Sequence, residues 1–168
     1  HPPARTDAAV DSTPDKPADI ADVYAFHDAD NLVIALTFAG PQATNIPASY
    51  DRDVLYTINI SNAGFPTDPE IQIRFRFGRD AAGNVGVEVT GLPDGGGPLV
   101  GPVEQTLSRG ATLVRAGLYD DPFFFDLQGF RETRSTGTLS FRSDRSFFTG
   151  QNDTAVVFQV ELRQSTKF

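Results

Sequence analysis

The stretch Ile71-Gln72-Ile73-Arg74-Phe75-Arg76-Phe77 decides the fold. Ile71, Ile73, Phe75 and Phe77 fall on one side of an extended chain, with Gln72, Arg74 and Arg76 on the other. That two-residue period gives a strand one dry face and one wet, basic face. Upstream, Asp53 to Ser61 repeats the pattern, Val54, Tyr56, Ile58 and Ile60 against Leu55, Thr57 and Asn59. Downstream, Val85, Val87 and Val89 follow after Asp80-Ala81-Ala82-Gly83-Asn84, a hairpin connection. Three such runs in succession predict an antiparallel meander.

Outward from this centre the pattern stays β. Leu32 to Phe38 reads as a near-continuous apolar strand ended by Gly40-Pro41, preceded by the short run Val23 to Phe26. The turn-rich cluster His27-Asp28-Ala29-Asp30-Asn31 between them predicts a hairpin loop longer than two residues. Ala111 to Leu118 and Ala155 to Leu162 complete the strands. Pro93 to Pro102, with Gly95-Gly96-Gly97, reads as a flexible connection. It lacks the Gly-Lys-Ser/Thr and the strand–loop–helix order of a phosphate loop. Residues 1–19, punctuated by Pro2, Pro3, Pro14 and Pro17, read as an extended proline-rich arm lying across the domain or reaching a neighbour. Residues 20–168 then form a single domain.

One segment departs from alternation. Seven of the 14 phenylalanines lie between Asp120 and Phe148. Asp121-Pro122 suits a helix start, with Asp as cap and Pro at the first helical position. Phe123, Leu127 and Phe130 would then share a face. The expectation is a short helical insertion near residues 122–132, with Phe123, Phe124, Phe125 and Phe130 forming a core cluster that closes one end of the β core. The fold class expected is therefore mainly β: an antiparallel β-sandwich, or a jelly-roll-like variant, with one helical insertion.

Composition narrows function by exclusion. The 168 residues fit one domain, and 15 glycines with 12 prolines are too many breakers for a helical bundle. With no cysteine, disulfides, thiolate nucleophiles and Cys-ligated metals are excluded. A net charge of −8 repels phosphate backbones, so no nucleic-acid partner is expected. No apolar run approaches the length of a transmembrane helix.

Three blocks stand out in order: Ala18-Asp19-Ile20-Ala21-Asp22-Val23-Tyr24-Ala25-Phe26, Asp53-Val54-Leu55-Tyr56-Thr57-Ile58-Asn59-Ile60, and Ala116-Gly117-Leu118-Tyr119-Asp120-Asp121-Pro122-Phe123-Phe124-Phe125-Asp126-Leu127. Together they resemble the bacterial exported family catalogued as domain-of-unknown-function 4331, here as a short, single-repeat member. The resemblance implies a β-rich protein of the periplasm, cell surface or extracellular space, and brings no activity or ligand with it. A start at His1 with no methionine fits a processed export product.

Of the 22 acidic residues, 17 are aspartates. Asp19, Asp22, Asp120, Asp121 and Asp126 are the candidate metal ligands, and Ca2+ is the ion that loop carboxylates and carbonyls would take. The competing role is helix capping and turn bonding, which needs no metal. His1 and His27 are the only imidazoles, a thin basis for a copper site or for a Ser–His–Asp relay, and no Gly-x-Ser-x-Gly elbow is present. Three functions follow: a non-enzymatic exported module that binds a protein partner or self-assembles, as a subunit of a larger complex or filament; a calcium-binding module; and a hydrolase using paired carboxylates.

Overall fold

The computed structural model of the chain describes residues 16–61 and 69–161. Two antiparallel sheets pack face to face as a β-sandwich. The central meander appears as read: β3 (Tyr56–Ile60), β4 (Ile71–Arg79) and β5 (Val85–Thr90) pair in succession, and β6 (Leu99–Pro102) adds the fourth strand. The second sheet is built from β1 (Ile20–Asp28), β2 (Asn31–Ala43), β7 (Thr106–Arg109), β8 (Thr112–Asp120) and β9 (Gln151–Glu161), in the order β1-β2-β9-β8-β7. At its centre β2 lies against β9, with Leu32 opposite Val160 and Leu36 opposite Val156.

Alternation explains the packing. Ile73, Phe75 and Phe77 are buried, while Arg74 and Arg76 stand in solvent. Tyr56 stacks on Phe75 with ring centroids 4.9 Å apart. Phe38 meets Tyr56 at 4.6 Å and Phe158 meets Phe75 at 5.5 Å, so aromatic contacts join the two sheets across the core. Each fully buried side chain of this size contributes about 1.5–3 kcal/mol.

Several local expectations change. The β1–β2 connection is a two-residue turn, because Asp28 pairs directly with Asn31 and Ala29 takes φ 51°. β2 does not stop at Gly40-Pro41; it passes through a cis Gly40–Pro41 bond and a register shift and regains pairing at Gln42. The Pro93–Pro102 connection is tied down rather than loose: Arg109 donates to both carboxylate oxygens of Asp94 at 2.9 and 2.6 Å, and to the Gly97 carbonyl. Of the arm, residues 1–15 and with them His1 lie outside the described residues, as does the expected strand end at Leu162. Lys16–Ala18 form a 3-10 turn, Ala18 packs on the core, and the Tyr56 hydroxyl donates to the Pro17 carbonyl. Among the described residues no helix is long and apolar enough to cross a membrane.

Candidate interaction surface

The helix, α1 (Leu127–Thr136), starts five residues later than Asp121-Pro122 suggests. Asp121 makes a local turn instead, its carboxylate accepting from the Phe123 amide at 2.9 Å. The N-cap is Asp126, which accepts from the Gly129 amide at 2.8 Å, while Gly137 in the left-handed region (φ 71°) ends the helix. Asp126 wins because it gathers far more donors than a cap needs. Arg145 grips it through Nε at 2.7 Å and Nη2 at 2.9 Å, and the Arg142 amide donates at 2.9 Å. Chiefly the Arg145 guanidinium, helped by those amides against the cost of desolvation, holds the Asp126 carboxyl down at about 2. The fork–fork geometry is the strong form of ion pair.

Gly129 fits this clasp for lack of a side chain. A Cβ there would lie 2.3 Å from Asp126 Oδ2 and 2.7 Å from the Ser140 carbonyl. The loop after α1 folds back over it: the Thr133 hydroxyl donates to the Gly129 carbonyl at 2.7 Å and accepts from the Ser140 amide at 3.1 Å. Residues 121–150 thus form a self-braced insertion between β8 and β9, closed at its root where the Asp121 amide donates to the Gln151 carbonyl.

That bracing leaves the phenylalanines outside. Phe123, Phe124 and Phe130 are exposed, Phe125 is half-buried, and none belongs to the core expected of them. Three of them join ring contacts within the insertion instead: Phe123 stacks on Phe125 at 6.4 Å and meets Phe148 edge-on at 5.2 Å, and Phe125 touches Phe130 at 5.7 Å. The correction has a physical reason. The sandwich fills its own interior with Phe38, Phe75, Phe77 and Phe158, so the insertion clusters its rings on its own surface. With Leu139, Phe141 and Phe147 also exposed, this one segment carries six exposed large hydrophobic side chains. Arg134 lies over the Phe130 ring at 5.8 Å.

The five candidate metal ligands disperse. Asp126 is committed to Arg145. Asp120 lies exposed at the end of β8. The Asp19 carbonyl accepts from the Ala39 amide. Asp22 and Asp121 lie near each other only through a residue that sequence reading missed, Asp153. Among the described residues no three carboxylate or imidazole side chains could hold a metal ion.

Asp153 is 1% exposed on β9. Neither of its carboxylate oxygens has a hydrogen-bond partner among the described residues, although the Thr37 hydroxyl and the Asp121 carboxyl stand close enough to bias its proton in opposite directions. Burial, then the charges of Asp121 and Asp22, push it up to about 6. Its Oδ1 occupies the space a side chain at Gly40 would need, 1.6 Å from the position of a Cβ. A raised acid beside a second carboxylate is half of what a hydrolase requires. The other half, access, is missing here, since the Gly40 backbone covers the carboxyl. The signal in the sequence was an acid in Asn152-Asp153-Thr154-Ala155-Val156, directly before an apolar run.

No family model, curated protein or solved structure matches this chain.

Proposed function

We propose that the chain is a non-enzymatic exported module, a relative of the domain-of-unknown-function 4331 proteins, that acts by binding a protein partner or assembling at the bacterial surface or in the periplasm. The observation that carries the binding role is the exposed aromatic face of the insertion. Phe124 is 53% and Leu139 78% exposed, on a segment braced by a buried ion pair. Rings held out on a rigid support suit docking, because little side-chain entropy is left to lose on contact. The three sequence blocks quoted above support the family and the export.

A photo-cross-linking residue at position 124, in cells that make the protein, tests the docking. Adducts at 124, with none at the wet face of β4 at Arg76, are the expected result. Equal yields at both positions, or none at 124, would remove the reading.

A further inference from the structure

Asp153 sits where the larger sheet is interrupted on both sides of β2. The β2–β9 ladder breaks between Phe38 and Gln42, so Asp153 has no partner in β2, and the Gly40 backbone lies over its carboxyl. The β1–β2 ladder shifts between Ile20 and Val23, which leaves Asp22 at the gap, its amide donating to the Thr37 hydroxyl at 3.0 Å. Asp121, the first residue of the insertion, also faces Asp153, and its amide closes the root on the Gln151 carbonyl. β1, β9 and the insertion thus bring one aspartate each to this gap.

The charges around Asp153 are all of one sign. β1 contributes Asp22 and the Tyr24 phenol, and the insertion contributes Asp121. β2 offers only the neutral Thr37 hydroxyl, and β8 the Tyr119 phenol opposite Asp153 in the ladder. Among the described residues no arginine, lysine or histidine pairs with any of the three aspartates, and the three do not converge as metal ligands. Among the described residues a proton is therefore the counter-charge that remains. It also explains why a carboxyl only 1% exposed shows no hydrogen-bond partner. Two carboxylates repel, whereas a carboxylic acid donates to a carboxylate.

We propose that Asp153 and Asp121 form a proton-operated latch: one shared proton fastens the root of the insertion to the larger sheet, and its loss to solvent releases the root. Asp121 is the partner that yields. It is half-buried in an irregular segment and followed by the exposed Pro122, whereas Asp153 is fixed within β9. Asp22 adds repulsion of the same sign, but the Thr37 hydroxyl anchors its backbone at both amide and carbonyl. The Asp153 carboxyl, pushed up to about 6, sets the pH of release. The latch stands on the cluster alone; that it governs how firmly the aromatic side chains are presented rests on the docking reading.

Exchange of the Asp121 amide, followed by NMR at about pH 5 and about pH 7.5 and corrected for the intrinsic rate, tests the latch. This amide should lose about tenfold in protection at the higher pH. The loss should be insensitive to added urea, the mark of a local opening. That separates it from the global decline reported by Val89, buried in β5. In Asp153→Asn the amide at position 121 should keep the same protection at both pH values. Asp121→Asn should do likewise, since no second charge then faces Asp153. Unchanged protection in the wild type, a loss that grows with urea as that of Val89 does, or a loss that survives in both variants would each overturn the proposal. If the latch opens as expected while position 124 gives no adducts in cells, the docking reading falls and the latch stands.

Discussion

Asp153 sets the behaviour of this protein at the scale of single residues. An acid whose folded value is raised to about 6, against about 3.9 in an unfolded chain, favours folding least where it must ionise. Below pH of about 4 the proton is bound in both states and there is no penalty. As pH rises from about 4 to 6 the unfolded chain releases its proton first, so stability declines, and above about 6 the loss is complete. The loss is on the order of 1–3 kcal/mol. Asp153→Asn is expected to raise the melting temperature at pH 7 and to flatten its slope between pH 5 and 7; calorimetry at several pH values checks this. Gly40→Ala should cost about 1–3 kcal/mol, because its Cβ collides with the Asp153 carboxyl. Adding Asp153→Ala should recover much of that loss, a coupling that a double-mutant cycle in urea would measure. Little of this was legible in the sequence, where Gly40-Pro41 reads as the end of a strand and the acid ahead of the apolar run of β9 is the one signal. The contact joins residues far apart in the chain, and no local pattern encodes it.

Among the elements, the insertion depends on its clasp more than on helix propensity. A ten-residue helix is too short to persist alone in water. Arg145→Ala would leave Asp126 buried with two amide donors and no counter-charge. Amide hydrogen exchange in residues 126–136 should then speed up, while β4 and β9 keep their protection. Equal loss of protection throughout would show that the clasp belongs to the global fold instead. The same element shows where sequence reading succeeds and fails. Its existence followed from the break in alternation at Asp120. Its start was misplaced because Asp121 and Asp126 are both plausible caps, and only the position of Arg145, 19 residues beyond the second, distinguishes them. Its phenylalanines were assigned inward because apolar residues usually are buried, a rule that fails when the core is already full. The meander β3–β5 was legible since its period is local, as was the burial of Val54 and Tyr56 against the exposure of Leu55.

For the molecule as a whole, two opposed pH effects frame stability. Asp126, and Asp94 beside Arg109, are held down at about 2, so their contribution is present above about pH 4 and fades as pH falls toward 2. Asp153 acts from the other side. Stability is therefore expected to peak near pH 4–5, and a melting curve that rises steadily to pH 7 would contradict this. Phe158→Ala should cost about 3–5 kcal/mol in urea denaturation, since its ring bridges the two sheets. Phe124→Ser should change stability by no more than about 0.5 kcal/mol. The pairing of β2 with β9 has a consequence in time. The central ladder of the larger sheet cannot close until residues near Val160 have left the ribosome, so an early strand must wait for a late one.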